Sequence, residues 1–208
     1  MTNVLIVDSA ATGDASVTRR LTGELEAILR GRGPVRIVRR DVGTRTIPHL
    51  TAETTPAIRG GEAETDAARD ALALSDALIA ELKAADLVVI GAPMYNFGIA
   101  STLKAWFDHV LRAGITFRYS EAGPEGLLKG KKTIVIESRA GLYSEGPSAP
   151  MDSQEPHLRT LLAFMGLDDM TFVRVEKLAF GPDQASASIA EALDRLRGVA
   201  AEELPLAA

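Results

Sequence analysis

The chain has 208 residues, of which 46 % are hydrophobic and 25 % charged, as expected for one globular domain. Its net charge of −5 argues against nonspecific binding to nucleic acid. It contains no cysteine, which excludes disulfides, thiolate chemistry and zinc–sulfur sites and suits the reducing cytoplasm. The N-terminus lacks the pattern of a signal peptide, and no apolar stretch approaches the roughly 18–20 residues that span a bilayer.

Short aliphatic runs alternate with longer helical patterns along the chain. The runs predict five strands, at residues 4–7, 35–39, 87–90, 133–136 and 171–175. Helices are predicted after Ser16, after a long polar stretch at residues 43–69, and at about residues 101–112, 155–165 and 185–199. The polar stretch is longer than a typical connector and is predicted to be a functional or mobile loop. Residues 202–208 are predicted to be a frayed tail.

Five alternating strand–helix units predict an α/β fold with one parallel sheet covered by helices on both faces. The expected strand order is 2-1-3-4-5, which is that of a flavodoxin-like three-layer sandwich, formed by a single domain over residues 1–208. In this arrangement ligands bind beyond the carboxyl ends of the strands, at the switch between strands 1 and 3. The loops after strands 1, 3 and 4 are therefore the candidate functional segments.

The loop after strand 1 is rich in hydroxyl side chains and leads directly into a helix. Free N–H groups and the positive end of the helix dipole attract anions there, and the hydroxyls of Ser9, Ser16 and Thr18 add donors. The loop has no lysine, which disfavours a nucleoside triphosphate and suits one monophosphate. The alternative is an ordinary helix cap in a polar loop.

The loops after strands 3 and 4 have the composition of a site for a flat ring. Met94, Tyr95, Asn96 and Phe97 offer an apolar platform together with amide and backbone groups. Residues 138–141 form a small-residue turn that would let backbone approach a ligand closely. The alternatives are that the two aromatic rings pack under the next helix and that the second loop is a plain strand exit.

The three loops together resemble the bacterial FMN-dependent NADH-azoreductases, which have a flavodoxin-like fold. The most specific matching run is Ala92-Pro93-Met94-Tyr95-Asn96-Phe97, followed by Leu103-Lys104 and Phe107-Asp108. Supporting matches are Ala73-Leu74-Ser75-Asp76, Arg112-Ala113-Gly114, Thr116-Phe117-Arg118-Tyr119, Gly123-Pro124-Glu125-Gly126-Leu127 and Ser138-Arg139.

The resemblance implies one tightly bound FMN per subunit and a homodimer with its active sites at the subunit interface. By position, Ser9, Ala10, Ser16, Val17 and Thr18 would hold the phosphate. The isoalloxazine would be lined by Met94, Tyr95, Asn96 and Phe97, and its pyrimidine end would contact Ser138, Arg139, Ala140 and Gly141. Two positions depart from the family: Ala10 stands where a serine is common, and Ala140 stands where a glycine is common. Ala10 would therefore contribute only backbone, and Ala140 tests whether its position needs a positive φ.

The resemblance also implies a ping-pong oxidoreductase that takes hydride from NADH or NADPH and reduces quinones and aromatic azo compounds. Because the flavin carries the chemistry, no side chain is expected to act as a nucleophile or general base. Backbone N–H groups around Ala140 and Gly141 would stabilise negative charge on the reduced ring. Candidate walls of the acceptor pocket are Phe117, Tyr119, Phe164 and Phe180, together with Arg59, which would reach across the dimer. Phe164 is equally consistent with core packing.

Other classes of protein fit the sequence less well. Residues 126–133 have the wrong spacing for a phosphate-binding P-loop and precede a strand, and the three histidines show no metal-ligand spacing. A response-regulator module would need an aspartate at the end of strand 3, where Gly91-Ala92-Pro93 stands. Two alternatives remain, a flavodoxin-type electron carrier and a non-enzymatic flavodoxin-like binding module.

Overall fold

Each aliphatic run that predicted a strand forms one in the computed structural model, which describes residues 1–45 and 47–202. The strands are β1 (Thr2–Asp8), β2 (Val35–Asp41), β3 (Leu87–Pro93), β4 (Phe117–Ser120), β5 (Gly123–Gly126), β6 (Lys132–Ser138) and β7 (Asp169–Val175). The helices are α1 (Val17–Arg32), α2 (Thr55–Ile58), α3 (Asp66–Ala84), α4 (Ser101–Val110), α5 (Glu155–Met165) and α6 (Pro182–Glu202). Single 3₁₀ turns lie at Gly13–Ala15 and Ala149–Met151.

Five strands form one parallel sheet in the order β2-β1-β3-β6-β7. This is the predicted 2-1-3-4-5 order, and the flavodoxin-like fold class is confirmed. The register places Asp8 opposite Gly91, and Pro93 opposite Ser138. The carboxyl ends of β1, β3 and β6 therefore meet at one edge, which brings the three predicted loops together.

Two apolar cores lie on opposite faces of the sheet. On one face Leu78 and Leu82 of α3 pack with Trp106 and Phe107 of α4. On the other face α1 and α6 pack against the sheet through residues that recur at helical spacing, as Leu21, Leu25 and Leu29 do. Every residue of β3 is buried, as expected for a central parallel strand covered on both sides.

The structure corrects the predicted boundaries at the functional edge. β3 continues through Pro93 and β6 through Ser138, because these residues still pair across the sheet. The predicted loop 43–69 is partly helical: it contains α2, and α3 already begins at Asp66, where the Thr65 side chain accepts a hydrogen bond from the Ala68 amide. Apart from Glu202, which ends α6, the predicted tail lies outside the described residues.

The sequence prediction missed a small antiparallel hairpin formed by β4 and β5. It lies outside the main sheet, and its four-residue strands contain little apolar surface apart from Phe117. The hairpin is held at its base, where the Leu128 amide donates to the Met165 carbonyl at 2.8 Å. No helix among residues 1–45 and 47–202 is both long enough and apolar enough to cross a membrane.

Candidate functional site

The first loop exposes unpaired N–H groups at the start of α1. Ser16 caps this helix: its Oγ accepts from the Arg19 amide at 3.3 Å and lies 2.9 Å from Thr18 Oγ1. Within the described chain, the amides of Val17 and Thr18 donate to no protein acceptor. The first turn thus offers two N–H groups and, because one hydroxyl proton is used in the Ser16–Thr18 hydrogen bond, one free hydroxyl proton at the positive end of a helix of 16 residues, which suits a phosphate.

The Ser9 hydroxyl has a different role from the predicted one. Its Oγ donates to the Gly91 carbonyl at 2.7 Å, and the residue is fully buried. A hydroxyl carries one proton, so while this bond is made the Ser9 side chain has no proton to donate to a phosphate. Ser9 instead ties the end of β1 to β3. Ala10 is also fully buried, and a Cβ on Gly43 would lie only 2.6 Å from the Ala10 carbonyl carbon.

The second loop makes a tight turn that raises an aromatic side chain toward solvent. The Tyr95 and Gly98 backbones exchange hydrogen bonds of 2.9 and 3.1 Å around Asn96 and Phe97, whose φ angles are 48° and 69°. Two positive φ values define a type I′ turn, which favours Asn followed by Gly. A phenylalanine in this conformation is strained, and such strain concentrates at binding sites. Phe97 is nevertheless 42 % exposed.

A tyrosine hydroxyl connects the first two loops. The Tyr95 hydroxyl accepts a hydrogen bond from the Ala11 amide at 3.1 Å. Met94 connects the second loop to the third, because its amide donates to the Ser138 carbonyl at 2.9 Å. The structure therefore brings the predicted phosphate and ring segments into one continuous site.

The third loop presents a row of N–H groups. The carbonyls of Arg139, Ala140 and Gly141 accept hydrogen bonds from the amides of Leu178, Ala179 and Lys177, at 3.3, 3.0 and 2.8 Å. In a trans peptide the C=O and the following N–H point in opposite directions. The amides of residues 140, 141 and 142 therefore point away from the 177–179 segment, and none of them donates to an acceptor in the described chain. Ala140 does not need a positive φ, since its φ is negative.

Arg139 lies in the third loop, but its side chain is turned into the protein and is 1 % exposed. Its amide donates to the Val175 carbonyl at 2.8 Å. The guanidinium contacts Gln154 Oε1 at 3.1 Å and Glu176 Oε1 at 3.3 Å. It is also within ion-pair distance of three further carboxylates, those of Glu137 at 2.8 Å, Asp152 at 3.0 Å and Glu155 at 3.7 Å. Arg139 can therefore contribute only its backbone to a ligand at this loop.

The carboxyl group of Glu137 is the most perturbed acid in this region. It is fully buried, and its Oε1 has no hydrogen-bond partner in the part of the chain that the structure describes. Burial raises the pKa of Glu137 to about 8, against the opposing effect of the neighbouring Arg139. Burial thus favours the protonated form of Glu137 more strongly than water does.

The predicted acceptor-pocket residues have unequal exposure. Phe117 is 5 % exposed and packs against Phe164, with ring centroids 4.6 Å apart. Tyr119 is 73 % exposed on the hairpin, and Phe180 is 62 % exposed in the segment after β7. Arg59 is exposed immediately after α2. Phe117 also packs edge-on against Tyr119, with ring centroids 5.6 Å apart, so it lies between Phe164 and Tyr119. The exposed residues are the ones accessible to a ligand.

Fold and site together define a flavodoxin-like domain in which three loops at one edge of the parallel sheet present unpaired amides, hydroxyls and an exposed aromatic ring. The chain matches the Flavodoxin-like fold family over residues 2–199. It is 52 % identical over 203 residues to an FMN-dependent NADH:quinone oxidoreductase of Hyphomonas neptunium, with 96 % of each chain covered. It is 45 % identical over 206 residues to a protein of the same name from Azotobacter vinelandii, covering 96 % of this chain and 100 % of the relative.

A solved structure supports the same relationship. The azoreductase of Bacillus anthracis str. Sterne matches with a TM-score of 0.87 and 29 % identity, covering 96 % of this chain and 99 % of that one. The chain belongs to the flavodoxin-like family of FMN-dependent NADH:quinone oxidoreductases and azoreductases, which confirms the resemblance found in the sequence.

Proposed function

We propose that the protein is an FMN-dependent oxidoreductase that takes hydride from NADH and reduces quinones. The observation that carries this proposal is that two sets of backbone N–H groups at one edge of the sheet have no acceptor in the described chain. One set belongs to Val17 and Thr18, and the other to residues 140–142. The names of the relatives from Hyphomonas neptunium and Azotobacter vinelandii support the same activity.

The residues present fit FMN. Its single phosphate suits the start of α1, where Ser16 and Thr18 add hydroxyls and no lysine is present. The flat ring suits the turn of Met94, Tyr95, Asn96 and Phe97, which combines apolar surface with backbone groups. Ser138 and the amides of Ala140 and Gly141 suit the polar pyrimidine edge of the ring.

The protein contributes positioning and electrostatics. When bound, FMN supplies the two-electron chemistry that joins hydride transfer from a nicotinamide to the reduction of an acceptor. The amides of residues 140–142 would stabilise negative charge at the ring edge, since they are already oriented and need no rearrangement. No side chain in this scheme acts as a nucleophile or general base.

We propose further that NADH and the acceptor use one open face in turn, which is a ping-pong order. The active unit is a homodimer in the cytoplasm, in which Arg59, Tyr119 and Phe180 meet the acceptor, with Tyr119 supported by Phe117 and Phe164. The exposure of Tyr119 and Phe180 supports this arrangement, because it leaves both aromatic rings free to contact a ligand or a second subunit. Aromatic azo compounds would be a second class of acceptor, in line with the azoreductase of similar structure.

Absorbance of the purified protein tests the cofactor and the activity. We expect a yellow protein that bleaches with NADH without oxygen and regains its colour when a quinone is added. A colourless protein that FMN does not reconstitute would contradict the proposal and favour a binding module. A yellow protein that NADH bleaches only through a partner reductase would identify an electron carrier.

Initial rates test the order of binding and the choice of acceptor. Ping-pong kinetics give parallel double-reciprocal lines when NADH is varied at several quinone concentrations, whereas intersecting lines would indicate a ternary complex. The ratio of turnover with a quinone to turnover with an azo dye decides which acceptor class dominates. We expect the quinone to react faster. Replacement of NADH by NADPH in the same assay gives the nicotinamide preference.

A further inference from the structure

The buried arginine cluster, defined here as Arg139, Glu137, Gln154, Asp152, Glu155 and Glu176, lies directly behind the third loop. Burying a guanidinium costs several kcal/mol unless its donors are paired, so such a cluster is a poor source of stability. Each of its three nitrogens nevertheless has a hydrogen-bond partner here, within 3.3 Å, and the partners come from three separate segments. A role in holding a defined geometry explains this arrangement better than stability does.

Gln154 connects the cluster to the second loop. Its Oε1 accepts from Arg139 Nε at 3.1 Å, while its Nε2 donates to the Ala92 carbonyl at 2.8 Å. Ala92 lies two residues before Met94, where the ring-facing turn begins. The guanidinium therefore acts on the end of β3 through one fully buried amide side chain.

Glu176 connects the cluster to the third loop. Its carboxylate accepts from the Tyr143 amide at 2.7 Å and the Ser144 amide at 3.0 Å, and also from the Ser144 hydroxyl. The next residue, Lys177, has a φ of 62° and donates its amide to the Gly141 carbonyl. Glu176 therefore holds residues 143–144, which directly follow the 140–142 amides, and it immediately precedes the 177–179 segment that orients them.

We propose that Arg139 is a positioning residue that holds the 140–142 amides in place for the flavin ring by pairing with Gln154 and Glu176 from inside the protein. This inference rests on the proposed function. It assigns Arg139 no contact with the ring. The planar fork of arginine is required, since one ammonium group cannot donate along the same diverging directions to Gln154, Glu176 and Glu137.

The test compares Arg139→Lys, which keeps the charge, with Glu176→Gln, which keeps the shape and is the gentler change. Arg159→Met is the matched control, because Arg159 also pairs with Glu155 but is an exposed arginine outside the cluster. Release of FMN on dilution of the holoprotein, followed by flavin fluorescence, gives the dissociation constant. Hydrogen exchange of segment 138–146 and the flavin midpoint potential are measured on the same samples.

We expect both cluster variants to raise the FMN dissociation constant at least tenfold, to speed exchange in segment 138–146, and to shift the midpoint potential. The control should leave all three quantities unchanged. If the cluster variants stay folded by circular dichroism and match the wild type in all three, Arg139 is not a positioning residue. If the wild type itself holds no FMN, the proposed function fails instead, and the two failures are thereby distinguished. Should Arg139→Lys not fold, Gln154→Met takes its place, because Gln154 is connected to the third loop through Arg139, whereas Glu176 also contacts that loop directly.

Discussion

The strained turn at Phe97 leads to a prediction that inverts a familiar order of stability. A folded protein is ordinarily more stable with alanine than with glycine at a given position, because the larger loss of conformational entropy by glycine costs about 0.5–1 kcal/mol of unfolding free energy. At Phe97 the φ of 69° places any residue with a Cβ in the left-handed region, at a cost of about 1–2 kcal/mol. We therefore expect Phe97→Gly to be more stable than Phe97→Ala by about 0.5–1 kcal/mol.

Both variants lack the aromatic ring, so the loss of its contact with Tyr143 lowers the stability of both by the same amount. Thermal unfolding of the FMN-free proteins measures the difference, and for about 200 residues it corresponds to roughly 1–4 °C in Tm. Gly23→Ala in α1 is the control: its new Cβ meets nothing within 4 Å, and ordinary helix preference should raise stability. An alanine variant as stable as the glycine variant, or more so, would refute the argument from backbone strain.

Two further predictions concern groups behind the site. Gly43→Ala would force a Cβ to within 2.6 Å of the Ala10 carbonyl carbon, so we expect a loss of about 3 kcal/mol in urea unfolding; an unchanged midpoint would contradict this. The pKa of Glu137, about 8, lies above its ordinary value, so its contribution to stability is complete below about pH 4.5 and is lost as the pH rises to about 8. The unfolding free energy of the wild type should therefore fall relative to that of Glu137→Gln between pH 5 and pH 8, by at least about 1 kcal/mol; an equal gap at both pH values would contradict the raised pKa.

The order of strands in the sheet was predictable because a strand that is buried on both faces must consist almost entirely of apolar residues. The run 87–90 is wholly apolar, and it forms the centre of the sheet. The β4–β5 hairpin was not predictable in this way. Among its residues Phe117 is the buried hydrophobic one, and the sequence Gly123-Pro124-Glu125-Gly126 is typical of a loop. Its stability depends on contacts with Gly166 and Met165, which lie far along the chain.

The site was predictable as three loops but not in the direction of its side chains. Ser9 and Arg139 have residue types that bind phosphates and polar rings, yet both are committed to partners inside the protein. The partner of Ser9 is a backbone carbonyl on another strand, and those of Arg139 lie in three separate segments. Such pairings depend on distances in the folded chain, and spacing along the sequence does not reveal them.

The β4–β5 hairpin has a tightly packed base and an exposed tip, so its surface residues can change without changing its attachment to the domain. Its base is closed so tightly that a side chain on Gly126 would collide with the backbone of Gly166, whereas Tyr119 near the other end is 73 % exposed. Residues 118–122 are all exposed, so they accept substitutions without disturbing the sheet or the three loops. A library randomised at these five positions therefore tests whether the choice of acceptor can change while the loops proposed to hold FMN keep their conformation.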